Sequence, residues 1–173
     1  FTNLSANTTS TFYNILKVDG NTLQSGNETE GSEAEDKVDS FIISSSNQSP
    51  SDIVASGSLT LGNNSLTGKY TSSCLSSNID QYFGGSGKPS FVDSIKFTLV
   101  VTGSTTFSEE IFYFSDKSCV LTSYVLKNTY KDVSPGSQKT SGYSFSYKYE
   151  STALKPYTTE SKTHWQNLFS GGN

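Results

Sequence analysis

Several segments between residues 91 and 149 alternate between apolar and polar side chains, the pattern expected of β-strands with one buried face. In residues 91–101 the apolar side chains at 95, 97, 99 and 101 share one face, and in residues 143–149 four aromatic side chains do the same. Residues 105–114 and 119–130 are two further apolar segments, bounded by short polar turns at 103–104 and 115–118. Together they predict consecutive antiparallel strands, a meander.

Strand signals are shorter in the first half of the chain. Residues 11–18 alternate loosely and end in Asp19-Gly20-Asn21, a hairpin turn from which a strand returns through Leu23. Residues 38–44, 53–61 and 66–74 predict further strands, and residues 75–90 a long loop. Residues 1–10 predict a flexible arm and residues 24–37 a mobile acidic loop, because both segments are polar and aperiodic.

A short helix is expected at the C-terminus. Thr158 or Thr159 can cap its start and Gly171 can close it. Trp165, Leu168 and Phe169 follow at the i, i+3 and i+4 positions of one helix face. We expect this apolar stripe to pack on the sheet.

Eight to ten strands and one helix in 173 residues indicate a single all-β domain, residues 1–173. Strands joined by hairpins at near-regular spacing predict an antiparallel meander that closes into an up-and-down barrel, with a β-sandwich as the alternative. Closing the sheet would also remove its exposed edges.

The composition supports β-structure and excludes some partners. The chain holds 11 Phe and 10 Tyr but no Met and no Arg, and its net charge is −4. Binding to nucleic acid is not expected, because the twelve lysines are scattered and no Arg is present. No apolar stretch approaches the ~20 residues that span a bilayer. Because the chain opens at Phe1 without a leader, we expect that any signal segment was removed or lies outside this sequence, with a lipid anchor on a removed segment as one option.

Two cysteines, Cys74 and Cys119, are present. In a cytosolic protein they would be buried thiols or a weak metal signal, whereas in an exported protein they would form a disulfide. Their spacing is too long for a CxxC motif, and His164 is the one histidine available to help them bind zinc. The disulfide is the favoured interpretation.

Three segments carry a resemblance to a known family: residues 68–74 (GKYTSSC), 112–119 (FYFSDKSC) and 149–156 (YESTALKP). They resemble the Gly-Thr-Trp…Cys strand, the Tyr-Ser-Asp-x-x-Cys turn and the late strand of small exported bacterial lipoprotein-type domains, which are loosely lipocalin-like. The resemblance covers about residues 68–169. It implies a lipocalin-like barrel, a Cys74–Cys119 bridge and a periplasmic, outer-membrane-associated or secreted location. Tyr70 stands where the lipocalin pattern has Trp.

Catalytic apparatus is sparse in this sequence. His164 could serve a Ser–His–Asp triad, but no GxSxG motif accompanies it. We expect His164 to be a surface or helix-packing residue. We also expect that the protein is not an enzyme. Glu109 and Glu110 are neighbours on a strand, so they point to opposite faces and cannot act as a glycosidase pair. Glu109 shares the inward face with Phe107 and Ile111, where it would be a ligand-binding carboxylate or a paired structural one.

The acidic segment that includes Glu28, Glu30 and Asp36 could gather oxygen ligands for Ca²⁺. It lacks the spacing of an EF-hand loop, so a solvated loop is the simpler interpretation and no metal or cofactor is expected. Five Asn-X-Ser/Thr sequences, beginning at residues 3, 7, 27, 47 and 63, match the N-glycosylation pattern. They would matter only in a eukaryotic protein.

Aromatic residues are the remaining candidates for binding. Tyr82 and Phe83 precede a Gly-rich loop, where exposed aromatic side chains are typical of carbohydrate or protein contacts. Tyr147 and Tyr149 either line a barrel interior or pack in the core. We therefore expect an exported, non-catalytic binding domain that recognises a small ligand, or a cell-surface glycan or protein. An adhesive or structural module of a cell-surface fibre is the alternative, and a hydrolase built on His164 a third.

Overall fold

The computed structural model describes residues 2–6, 9–31, 42–45, 49–83 and 87–170. These residues contain twelve β-strands, a short 3₁₀ helix at Ile79–Tyr82 and one α-helix, α1, at Thr159–Ser170. The strands are β1 (Thr2–Ala6), β2 (Phe12–Asp19), β3 (Thr22–Ser25), β4 (Thr29–Glu30), β5 (Ile42–Ser45), β6 (Leu59–Leu61), β7 (Asn64–Leu66), β8 (Lys69–Thr71), β9 (Ser94–Val101), β10 (Phe107–Phe114), β11 (Thr122–Gln138) and β12 (Tyr143–Pro156).

Eight of these strands form an antiparallel barrel whose strand order follows the chain. The order is β2, β3, β5, β8, β9, β10, β11 and β12, and β12 pairs back with β2. Pairing is thinnest between β5 and β8, which share two residue pairs, so the barrel is nearly closed. The predicted meander barrel is confirmed, and the sandwich alternative is wrong because the sheet curves back onto itself through β2 and β12.

The length of β12 makes this closure possible. One edge pairs with β11, while the other pairs with β2 at Tyr143–Tyr147 and with β1 at Ser151–Leu154. The prediction of a flexible arm at residues 1–10 is therefore wrong for residues 2–6, which add β1 to that edge. Their polar side chains gave no strand signal, but their backbone satisfies donors and acceptors of β12 that β2 does not reach.

Part of the predicted acidic loop at residues 24–37 is also ordered into strands. Gln24 and Ser25 belong to β3, and β4 pairs with the first two residues of β2. Residues 32–37 lie outside the described residues. The prediction of a loop is therefore wrong for the residues in β3 and β4. These residues form strands through backbone pairing and bury few apolar side chains, so the sequence pattern does not indicate them.

The predicted strand positions in the second half are confirmed, but some boundaries are not. Residues 134–136, a Ser-Pro-Gly sequence that predicts a loop, lie inside β11, which continues beside β12 through register shifts around Ser134 and Pro135. Such bulged pairing accommodates a proline that lacks a backbone donor. The strands expected at 53–61 and 66–74 are shorter: the first begins at Leu59, and Gly68, with φ +80°, separates β7 from β8.

Two apolar clusters form the core. The hairpin β6–β7 buries Leu59, Leu61 and Leu66 in one cluster with inward residues such as Val101 and Val133. A second cluster joins inward residues of β9–β12 to the segment around the 3₁₀ helix and to α1; it includes Ile79, Val92, Ile95, Tyr113, Tyr124, Leu154 and Trp165. The barrel core is therefore built from two separate apolar layers.

Helix α1 begins as the sequence predicts. The Thr158 side chain accepts a hydrogen bond from the backbone N–H of Ser161 at 3.2 Å, a local cap of the first turn. Trp165 packs against Tyr124 with ring centroids 5.4 Å apart, but Leu168 and Phe169 remain 56% and 55% exposed. The expected packing of the whole stripe is thus wrong for its last two members. No helix among the described residues has the length and apolar character to cross a membrane.

The predicted disulfide Cys74–Cys119 is present, with Cα atoms 5.8 Å apart. It joins the segment after β8 to the turn between β10 and β11, on the outer face beside Phe112 and Phe114. Asp116 organises this turn by accepting backbone hydrogen bonds from residues 118, 120 and 121. These bonds, that from Leu121 foremost, lower the pKa of the Asp116 carboxyl group.

Candidate functional site

A cavity of about 330 Å³ lies inside the barrel. Inward-facing residues of β2, β3, β5 and β9–β12 form its walls, and seven of the lining side chains are aromatic. Two carboxyl groups, those of Glu28 and Glu109, also line it, and no described lining residue is Lys, Arg or His. Asn27, Glu28 and Tyr82 are both lining and exposed, so they mark the side on which the cavity meets solvent.

Glu109 projects from β10 into this cavity. Its Oε2 accepts hydrogen bonds from the Tyr130 hydroxyl at 3.0 Å and from the Asn128 side-chain amide at 3.3 Å. The Thr152 hydroxyl donates to Oδ1 of Asn128 at 3.0 Å, which leaves the Asn128 amide nitrogen directed toward Glu109. The carboxyl group is therefore held in place by a chain of side chains across β10, β11 and β12.

Two tyrosines of β12 connect the cavity wall to Glu28. The Tyr149 hydroxyl donates to Oε2 of Glu28 at 3.0 Å, and the Tyr147 hydroxyl donates to the same oxygen. Both rings contact Tyr130, with centroid distances of 5.0 Å for Tyr147 and 4.8 Å for Tyr149. Tyr130 in turn stacks on Phe107 at 4.4 Å. One continuous aromatic wall thus links the two carboxyl groups.

Burial changes the proton affinity of these groups. It raises the pKa of the Glu109 carboxyl group; the Asn128 and Tyr130 hydrogen bonds oppose this effect, and the charge of Glu28 adds to it. Burial likewise raises the pKa of the Tyr130, Tyr147 and Tyr149 phenols. The phenols therefore stay protonated as hydrogen-bond donors, whereas Glu109 can take up or release a proton.

Strand periodicity and register place these side chains together. In β11, residues 126, 128 and 130 share the inward face, and in β12 residues 145, 147 and 149 do so. Glu109 lies directly opposite Asn128, and Tyr130 opposite Tyr149. A change of register by one residue would turn the whole set outward.

Four of the five binding residues predicted from the sequence line the cavity: Tyr82, Glu109, Tyr147 and Tyr149. Phe83 does not line this cavity. Its ring contacts Tyr113, with centroids 5.4 Å apart, in a separate groove of about 490 Å³ between the 3₁₀-helix segment and α1. Tyr82 also lines this groove, so of these two side chains Tyr82 borders both spaces and Phe83 borders the groove.

The opposite orientation of Glu109 and Glu110 is confirmed. Glu110 lies on the outer face beneath residues 50–53 and is 4% exposed. Its Oε2 has no hydrogen-bond partner within the described part of the chain. Burial raises the pKa of this carboxyl group, and a hydrogen bond with the Ser51 side chain and the charge of Lys127 partly oppose that effect. The two glutamates therefore lie on opposite sides of one strand and share no site.

The other sequence candidates do not join the cavity. His164 packs between Phe91 and Trp165, with ring centroids 5.3 Å from each. Among the residues that the structure describes, no group of three or more His, Cys, Asp or Glu side chains could hold a metal ion. Glu33, Glu35, Asp36 and Asp39 of the acidic segment, together with the Asn-X-Ser/Thr sequences at residues 7 and 47, lie outside the described residues.

The sequence did not single out Asn128 and Tyr130, and it pointed to Glu28 only as a member of the acidic segment. Asn128 and Tyr130 alternate with Tyr124 and Leu126 along β11, so strand periodicity could have placed them on the inward face. Glu28 carried no local signal, because it sits in a polar segment and reaches the cavity through strand pairing with distant residues.

Comparisons of the chain with protein-family models, with curated proteins and with solved structures find no match. The resemblance of residues 68–169 to small exported lipoprotein-type domains therefore stays a prediction from the three quoted segments. The barrel, its cavity and the arrangement of groups in the cavity wall are the basis for proposing a function.

Proposed function

We propose that this protein is a non-catalytic binding domain that takes a small organic ligand into the barrel cavity. The observation that carries this proposal is the cavity of about 330 Å³, which combines aromatic walls with a buried, hydrogen-bonded carboxyl group. Small-molecule sites typically pair apolar walls with a few well-placed polar groups in a concave space of this size.

The proposal treats the domain as a carrier or receptor for the ligand. Glu109 is held by Tyr130 and Asn128, and the described cavity residues include no histidine, cysteine or lysine to build a reaction centre around it. The Cys74–Cys119 disulfide supports an oxidising, exported environment. We infer that binding takes place outside the cytosol.

Fluorescence titration with N-phenyl-1-naphthylamine, an uncharged apolar probe, tests the proposal. We expect saturable binding with a rise and blue shift in emission as the probe leaves water. Leu99→Trp should abolish binding, because Leu99 lines the cavity and lies opposite Glu109 in the β9–β10 register. Lys96→Trp is the matched control, since it adds the same side chain on β9 but outside the set of cavity-lining residues.

Unchanged titration curves for both tryptophan variants would place the probe elsewhere and contradict the proposal. Absence of saturable binding by the wild type would contradict it as well. The alternative of an adhesive fibre module predicts self-association, which light scattering on the same samples measures.

A further inference from the structure

We propose that the cavity selects a small organic cation, an ammonium group attached to an apolar or aromatic body, over neutral and anionic molecules of the same size. This inference rests on the proposed function and names the class of ligand. It is carried by the way two carboxyl groups and an aromatic wall face the same cavity.

The formal charges of the cavity are of one sign. Glu28 and Glu109 both line it, and none of the described lining residues carries a positive charge. The proximity of Glu28 also disfavours ionisation of Glu109. A bound cation would relieve that repulsion, whereas a bound anion would add to it.

Glu109 keeps one oxygen for a ligand. Both of its side-chain hydrogen bonds end on Oε2, and no donor among the described residues reaches Oε1. A carboxylate with an open oxygen in a cavity is well suited to an N–H donor, and a charged donor forms the stronger hydrogen bond. Tyr130 and Asn128 fix the position of the group in advance, which limits the ordering cost of binding.

The aromatic wall provides the second half of cation recognition. The rings of Phe107, Tyr130, Tyr147 and Tyr149 all line the cavity and contact one another at centroid distances of 4.4–6.2 Å. An ammonium ion beside such faces gains cation–π stabilisation, which is larger where the ion is desolvated. The same faces pack against the apolar body of the ligand.

A divalent metal ion fits these groups less well. Ca²⁺ requires six to eight oxygen ligands and Mg²⁺ an octahedral set. The described cavity wall offers two carboxyl groups separated by a chain of phenols, and most of its remaining surface is apolar or aromatic. The geometry therefore favours an organic cation.

Isothermal titration calorimetry at mildly alkaline pH tests this inference with three ligands of one shape. They are 2-phenylethylamine, which is a cation, 2-phenylethanol, which is neutral, and 3-phenylpropionate, which is an anion. We expect the amine to bind about tenfold or more tightly than the alcohol, and the carboxylate to bind weakest.

Two variants test whether Glu109 causes the preference for the amine. Glu109→Gln keeps the shape and removes the charge, so it should lower amine affinity by about tenfold and leave alcohol affinity nearly unchanged. Glu110→Gln is the matched control, because it removes the same charge from the adjacent position on the outer face. Circular dichroism of both variants establishes that they are folded.

The outcomes separate the two proposals. If N-phenyl-1-naphthylamine binds but the three ligands bind equally, the cation inference is overturned and the proposed function stands. If neither the fluorophore nor any of the three ligands binds, the proposed function itself fails. A preference for the amine that survives Glu109→Gln would overturn the role given to Glu109.

Discussion

Reduction of the Cys74–Cys119 disulfide should lower the free energy of unfolding by an amount that depends on the length of the loop that the bridge closes. The bridge spans 45 residues of sequence and therefore closes a long loop in the unfolded chain. In the chain-entropy model a loop of this length stabilises the folded state by about 4 kcal/mol at 25 °C. The loop contains β9 and β10, two consecutive barrel strands, so opening it frees this part of the sheet in the unfolded state.

Urea unfolding followed by circular dichroism measures this change. With a urea dependence of about 2 kcal/mol per molar, the loss corresponds to a midpoint about 2 M lower in the presence of dithiothreitol. The double variant Cys74→Ala/Cys119→Ala should unfold near the reduced wild type and should not respond to the reductant. Its midpoint should be slightly lower still, because Cys119 is buried against Phe112, Phe114 and Val125.

A shift of the wild-type midpoint below about 0.5 M would refute the entropy argument. It would mean that residues 74 and 119 stay close together in the unfolded chain even when the disulfide is reduced. A response of the double variant to dithiothreitol would show instead that the reductant acts on something other than this bridge.

Two further predictions concern the cavity and a turn. Burial raises the pKa of Glu109, so the folded state binds the proton of this carboxyl group more tightly than the unfolded chain does. The resulting stabilisation is complete at pH values below the pKa of the unfolded chain, and it is lost as the pH rises through the folded-state pKa. Glu109→Gln should therefore gain stability relative to wild type as the pH rises above about 4, in paired urea titrations; a constant difference would contradict the raised pKa. Gly62→Ala should destabilise by about 2 kcal/mol or more in thermal unfolding, since φ is +59° and the new Cβ would lie 2.1 Å from the Tyr143 ring. Gly20→Ala, at φ +57° with no atom within 4 Å, should cost about 1 kcal/mol, and equal losses would contradict the clash.

Local periodicity is sufficient to predict the orientation of residues within one strand. Alternation along β10 and β12 places Glu109, Tyr147 and Tyr149 on the inward face, and the structure puts all three in the cavity wall. The same rule separates Glu109 from Glu110. These predictions succeed because the direction of a side chain in a strand depends only on its immediate neighbours in the sequence.

Contacts between distant segments are what the sequence does not supply. Glu28 meets Tyr147 across 119 positions, and this contact exists because β2 closes the barrel against β12. The polar composition around Glu28 predicts only a loop, since a short strand at an exposed edge needs backbone pairing and no apolar face. Phe83 is a second example. The sequence of a loop does not indicate whether an aromatic side chain in it will line the barrel cavity or the groove beside α1.

The central claim is that a small ligand occupies the barrel cavity beside Glu109 and the three tyrosines. Nuclear Overhauser contacts between N-phenyl-1-naphthylamine and the assigned aromatic protons of the protein test this claim most directly. The account predicts contacts from the probe to Tyr130, Tyr147 and Tyr149, which line the cavity. Contacts confined to Phe91 and Trp165, in the groove beside α1, would contradict it.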